Sequence, residues 1–228
     1  MNTLPTNRAQ LARYFDHTLL KPEATAARID QLCDECLRYG FAAACVNPVW
    51  VAHCARRLAD SQTVVASVAG FPLGASLPQT KADEARRAID QGAREIDMVI
   101  NLGALIAGEK SAVVDDIATV VEAAAAAEQT VIVKVILETA ALSDEQIVLG
   151  CRCAAEAQAD YVKTSTGFHP AGGATVRHVQ LLYKHASPIK VKAAGGIRDL
   201  QTALQMIEAG AARLGASASV RIIEQMPE

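Results

Sequence analysis

Eight short apolar runs punctuate the chain, each followed by a polar turn and then by a longer stretch of helical character. They are centred near Asp16–Leu20, Ala42–Val46, Val64–Val68, Ile96–Ile100, Val131–Leu137, Tyr161–Thr164, Ile189–Ala193 and Arg213–Gly215. Runs of this length, rich in Val, Ile and Ala, read as strands buried on both faces, the condition of a parallel sheet covered by helices. They recur at intervals of a few tens of residues, which suits βα units but is too irregular for a solenoid.

The intervening stretches carry helix start and stop signals. Asn47-Pro48 offers an N-cap followed by proline at the first helical position. Ser143-Asp-Glu-Gln146 spells a capping box, and Leu77-Pro78 opens a segment that runs to Gln91. Glu109 to Glu128, with five consecutive alanines from Ala123 to Ala127, is helix by propensity. Tyr39-Gly40, Gln91-Gly92 and Ala209-Gly210 supply glycine stops. Asn7 to Arg13 reads as an extra helix ahead of the first strand, placed to cover the bottom of the sheet.

Eight strands alternating with eight helices, with no composition shift to mark a linker, predict an α/β fold: a single-domain (β/α)8 TIM barrel over residues 1–228 with an added N-terminal helix. A doubly wound open sheet is the alternative, disfavoured because no G-x-G-x-x-G follows the first strand.

Composition narrows the function. The 228 residues are 51% hydrophobic, enough for a large core, and the net charge of -3 gives no long-range attraction to nucleic acid or anionic membrane. Aromatics at 4% leave no stacking platform for single strands. No run is long and apolar enough to span a bilayer, and the first residues lack the apolar core of a secretion signal. The six cysteines, Cys33, Cys36, Cys45, Cys54, Cys151 and Cys153, are therefore expected as thiols in a reducing cytoplasm. The Cys33-x-x-Cys36 spacing falls inside a helical pattern and reads as two small buried residues rather than a redox motif.

Candidate chemistry sits at the C-terminal ends of the strands, where a barrel of this kind builds its active site. The alternating pleat selects Asp16 and Thr18 on strand one, Cys45 and Asn47 on strand two and Asp97 on strand four. Strand five offers Lys134 and Glu138, strand six Lys163 and Ser165, and strand seven Lys190 and Lys192. Lys163 and Lys192 lie on strands that should be neighbours, ~4.8 Å apart. Ammonium groups ~6 Å apart at an effective dielectric of ~20 repel by roughly 3 kcal/mol, about two pKa units. Desolvation acts in the same direction, so one lysine is expected to be partly neutral and able to add to a carbonyl as a Schiff base. Asp97 is unable to neutralise both amines and is better placed to shuttle protons. Lys134 is expected only to tune the local charge. Lys190 falls two residues deeper on the face of Lys192, a position that only a local twist would turn outward.

Glycines supply the other half of the site. Ser165-Thr-Gly-Phe-His-Pro-Ala-Gly-Gly173, Gly195-Gly196 and Gly215-Ala-Ser217 follow strands six, seven and eight, where backbone N–H groups of this fold commonly grip a phosphate. The histidines His17, His53, His169, His178 and His185 show no metal-ligand spacing, and neither a serine nucleophile elbow nor a P-loop is present. A lysine-dependent reaction without metal or cofactor is expected.

With those residues in place, the chain resembles the deoxyribose-phosphate aldolase family of lysine-dependent (class I) aldolases. The blocks carrying the resemblance are Asp16-His-Thr-Leu-Leu-Lys-Pro-Glu-Ala-Thr25, Cys45-Val-Asn-Pro48, Val68-Ala-Gly-Phe-Pro-Leu-Gly74 and Glu95-Ile-Asp-Met-Val-Ile-Asn101. They continue through Lys134-Val-Ile-Leu-Glu-Thr139, Tyr161-Val-Lys-Thr-Ser-Thr-Gly-Phe168, Val191-Lys-Ala-Ala-Gly-Gly-Ile-Arg198 and Arg213-Leu-Gly-Ala-Ser217. The resemblance implies reversible cleavage of 2-deoxy-D-ribose 5-phosphate to D-glyceraldehyde 3-phosphate and acetaldehyde. It implies Lys163 as the Schiff-base lysine, Lys192 as the neighbour that lowers its pKa, and Asp97 as the proton-relay acid. Thr18, Cys45 and Thr166 would line the sugar, and Gly167, Gly196 and Ser217 would hold the phosphate. Two positions depart from the pattern. Phe168 stands where some relatives have a lysine, removing one phosphate contact, and the chain stops at Pro227-Glu228, short of the tail tyrosine of some relatives. The expected partner is a small phosphosugar, with no nucleic acid or membrane, and a homodimer is left open. A non-catalytic phosphosugar-binding barrel, or another Schiff-base aldolase on the same fold, is the alternative reading.

Overall fold

The computed structural model describes residues 4–227. Eight parallel strands close into a barrel in chain order: β1 (Phe15–Leu19), β2 (Ala43–Val46), β3 (Val64–Ala69), β4 (Glu95–Val99), β5 (Ile132–Ile136), β6 (Tyr161–Lys163), β7 (Lys190–Ala194) and β8 (Arg213–Ala216), with β8 pairing back onto β1. The helices around it are α1 (Arg8–Ala12), α2 (Ala26–Tyr39), α3 (Val51–Arg57), α4 (Pro78–Asp90), α5 (Leu102–Ile106), α6 (Lys110–Ala125), α7 (Asp144–Glu156), α8 (Val176–His185), α9 (Leu200–Glu208) and α10 (Ser219–Glu224). The expected (β/α)8 barrel is the fold observed. Among the described residues, no helix is long and apolar enough to cross a membrane.

The pleat divides every strand between two environments. One set of side chains, including Phe15, Ala44, Val65, Ile96, Met98, Val135, Val162, Val191 and Leu214, points at the helices and joins the main apolar core. The other set points into the barrel. On β2 and β3 the inward residues Ala43, Cys45, Ala66 and Val68 form a small apolar cluster with Leu20, and Phe71 packs against it. The inward residues of β1 and of β4 to β8 are mostly charged and carry the site described below.

Several local signals act as read. Ser143 and Gln146 complete the capping box of α7, the Asn7 side chain caps α1, and Gly40 ends α2 in the left-handed conformation with φ 68°. The helix read from Glu109 to Glu128 is α6, three residues shorter at its C-terminal end. Asn47 behaves differently: Pro48 opens a single 3-10 turn, and the Asn47 amide donates to the Leu20 carbonyl (3.1 Å) rather than capping. It thereby ties the β2 loop to the β1 loop. The β4 connection holds two helices where one was expected, because Asn101 caps a short α5 ahead of α6 and Gly108 (φ 75°) turns the chain between them. The N-terminal α1 packs against α2 and α10, and Arg8 Nε donates to the Met226 carbonyl (2.7 Å).

Outside the barrel, α4 and α6 meet around a fully buried ion pair. Lys81 Nζ reaches Asp116 Oδ2 at 2.7 Å, and the same carboxylate oxygen accepts the Asn101 backbone N–H at 2.9 Å. Burial pushes the Lys81 pKa down and that of Asp116 up, so desolvation outweighs the partner for both groups.

Candidate active site

The strand register places Lys163 directly beside Lys192, and Asp97 directly beside Lys134. Alternation then turns Asp16, Glu95, Asp97, Lys134, Lys163, Lys192 and Arg213 toward one buried network. Asp97 is its hub. Its Oδ2 accepts from Lys163 Nζ (2.7 Å) and Lys192 Nζ (2.6 Å), while its Oδ1 accepts from Lys134 Nζ (2.9 Å). Lys192 also donates to Asp16, and Lys134 also meets Glu95 (2.5 Å) and lies 3.8 Å from Asp16. Arg213 closes the lower part, bonding Asp16 (2.5 Å) and both Glu95 oxygens (3.2 Å each).

These contacts bear on the expectation that Asp97 is unable to neutralise both amines. Asp97 does pair with both site lysines, and with Lys134 as well, because one carboxylate oxygen sits between the two amines. The charges still fail to cancel. Three carboxylates, Asp16, Glu95 and Asp97, face the four cations Lys134, Lys163, Lys192 and Arg213. A closed interior tolerates one surplus charge poorly, and the network becomes neutral if one lysine gives up its proton.

The surroundings select which. Lys134 is fully buried; desolvation opposes its charge, but Asp97, Glu95 and Asp16 outweigh it and hold its pKa above the usual lysine value. For Lys192 desolvation is likewise overcome by Asp16 and Asp97, so its pKa is raised. Lys163 has a single carboxylate neighbour. Burial is the largest influence on it, Asp97 opposes burial, and Lys192 adds repulsion, leaving the pKa lowered. Repulsion between the lysines, given the leading role in the sequence argument, thus ranks behind desolvation. Burial alone would raise the two central acids. Lys134, Lys163 and Lys192 instead hold Asp97 well below the usual carboxylate range, and Lys192, Arg213 and Lys134 bring Asp16 to about 2. An amine with a lowered pKa, beside an ammonium and a carboxylate whose charges their neighbours favour, is equipped to attack a carbonyl and to move protons.

The remaining candidates surround this centre. Cys45, in the apolar β2–β3 half of the interior, is buried, and desolvation raises its thiol pKa. Thr18 donates its hydroxyl to the Asp16 carbonyl (2.8 Å). Thr166 gives its hydroxyl to Glu138 (2.5 Å), and Glu138 also accepts the Thr166 backbone N–H (3.3 Å). Glu138 itself adopts a left-handed backbone (φ 60°) and anchors the loop after β6 to the end of β5. Ser165, on the face of Lys163, is buried with no partner for its hydroxyl.

The glycine loops interlock. A Cβ on Gly173 would collide with the Gly195 carbonyl, and Ala174 N–H donates to that same oxygen (3.0 Å). A side chain on Gly196 (φ 82°) would meet nothing within 4 Å, so this backbone faces open space. Ser217 lies in the next loop of the ring, exposed. Lys190 needs no twist: as the first residue of β7 it is exposed at the opposite end of the barrel, its ammonium 5.9 Å from the Tyr161 ring centre.

Sequence reasoning missed Glu95 and Arg213 as members of the network. The available signal was phase: Glu95 lies two residues before Asp97, and Arg213 two before Gly215, each on the inward side of its strand.

Comparison with known proteins adds ancestry to this geometry. A family model described as "DeoC/LacD family aldolase" matches residues 10–222. Deoxyribose-phosphate aldolase 1 of Bacillus licheniformis is 52% identical over 216 residues, covering 94% of this chain and 95% of that protein. The deoxyribose-phosphate aldolase of Brevibacillus brevis is 51% identical over 212 residues, covering 92% and 94%. Among solved structures, the deoxyribose phosphate aldolase of Aeropyrum pernix, described as a tetramer, superposes with a TM-score of 0.88 at 33% identity, covering 96% of this chain and 92% of that one.

Proposed function

The chain belongs to the DeoC/LacD family of aldolases, and from that premise we propose that it cleaves 2-deoxy-D-ribose 5-phosphate reversibly to D-glyceraldehyde 3-phosphate and acetaldehyde. The observation that carries the mechanism is the uncompensated positive charge inside the barrel. Lys163 is the amine that sheds it.

Neutral Lys163 Nζ adds to the C1 aldehyde of the open-chain sugar, and loss of water gives an iminium ion. The iminium withdraws electrons as the C2–C3 bond breaks and the C3 hydroxyl loses its proton. Glyceraldehyde 3-phosphate departs, leaving an enamine on Lys163. Protonation at C2 and hydrolysis then release acetaldehyde and return the free amine. Lys192 is the resting ammonium beside the reacting nitrogen, and Asp97, which touches both amines through one oxygen, carries a proton from one to the other during the steps at nitrogen and returns it at the end of the cycle. Thr18, Cys45 and Thr166 are assigned to the wall along the sugar, and the loop residues Gly167, Gly196 and Ser217 to its phosphate.

Sodium borohydride added with acetaldehyde tests the assignment. A stable ethyl adduct on Lys163, absent in Lys163→Ala, is expected; an adduct on another lysine, or none, rejects it. The six buried cysteines carry free thiols, which supports a reducing compartment, the cytoplasm. The tetramer of the Aeropyrum relative supports self-association of this chain, with a homodimer as the simplest unit.

A further inference from the structure

Three aromatic and basic side chains from three different loops meet above the barrel mouth. Phe71, after β3, packs edge-to-face on Phe168, after β6, with ring centres 5.3 Å apart and planes at 86°. Lys21, after β1, places its ammonium 5.5 Å from the centre of the same Phe168 ring. Phe168 is 41% exposed, and Lys21 is exposed and makes none of the carboxylate contacts that engage the lysines below it. The glycine-bearing loops follow β6, β7 and β8 in succession, and β1 is the next strand after β8. Lys21 therefore starts in the loop beside the β8 glycine loop, and its ammonium reaches the ring of the residue next to Gly167, so the charge sits at the rim these loops share.

From this geometry we infer that Lys21 is the cation that recognises the phosphate monoester of the substrate, held in place by Phe168. The inference rests on the phosphosugar reading above and extends it to a residue outside the glycine loops. Backbone N–H groups alone bind a dianion through partial charges, whereas a full positive charge at the rim adds attraction and steers the anion inward. Phe168 carries no charge. Its ring face holds the ammonium over the opening without neutralising it, as a carboxylate partner would. Phe71 packs edge-to-face against the ring, and the Thr166 hydroxyl fixes its backbone by accepting the Phe168 N–H (3.1 Å).

Inorganic phosphate titrated into the protein and followed by 31P line broadening tests this without any catalytic step. Lys21→Met should bind phosphate about tenfold more weakly, Lys21→Arg should retain most of the affinity, and Phe168→Leu should fall between them. The ratio of kcat/KM for 2-deoxyribose 5-phosphate to that for 2-deoxyribose should drop about tenfold in Lys21→Met, mostly through KM. Unchanged phosphate affinity in Lys21→Met, or equal losses on the two sugars, overturns the inference. If the wild type cleaves neither sugar, the aldolase reading falls, and the phosphate titration still decides the role of Lys21.

Discussion

Among the described residues, lysine is buried in two places, and they behave differently. Between α4 and α6, Lys81 meets Asp116 one to one. Inside the barrel, four cations meet three carboxylates. The outer pair is balanced: one ammonium meets one carboxylate, whose bonded oxygen also accepts a backbone N–H, and the pair joins α4 to α6. The inner network is short of one negative charge, and in the function proposed above that shortage, together with burial, makes Lys163 the reactive amine.

The sharpest way to break this contrast is to remove the surplus cation. Lys163→Met should lower turnover of deoxyribose 5-phosphate by more than ~10⁴-fold, read in a coupled assay for glyceraldehyde 3-phosphate, while leaving the folded state intact. Lys192→Met sharpens the point, because it balances the network at three charges of each sign. Lys163 should then keep its proton, so the rate at neutral pH falls by ~10²-fold or more and the rising limb of the rate–pH curve moves to higher pH. A curve that stays in place would refute the charge-balance argument. The outer pair should show the opposite signature. Lys81→Met strands a buried carboxylate and should cost about 3–5 kcal/mol in chemical denaturation, with the pH profile of the remaining activity unmoved.

The smallest effect is expected from acid. The folded-state pKa values of Asp97 and Asp16 lie below the unfolded carboxylate value, so their stabilisation is complete above that value and is lost as pH falls through the lowered ones. For Asp16, brought to about 2, that is roughly 2 kcal/mol lost between about pH 5 and pH 2. Denaturation midpoints across that range measure it, and Asp16→Asn should flatten the slope.

Much of this was legible before any coordinates. Strand periodicity and turn chemistry located all eight strands, because a buried strand leaves a short apolar run whatever surrounds it. Pleat phase put Lys163, Lys192 and Asp97 on the inward face. Phase does not report depth, however, nor which oxygen faces which nitrogen. Lys134 was accordingly undervalued, although it is a fully buried partner of Asp97 and Glu95. Lys190 was placed in the interior, although its strand begins there and its side chain is exposed. The Lys81–Asp116 pair joins residues 35 positions apart on two helices and leaves no local trace. The double helix after β4 depended on a cap at Asn101 that a strand-centred reading absorbed into the sheet.

The seam between Gly173 and Gly195 bears on how such an enzyme can be remodelled. Since the two backbones touch where any methyl group would collide, neither loop is an independent module for grafting. A swap that lengthens one without its neighbour should open the groove between them, so redesign for unphosphorylated aldehydes must transplant both segments together.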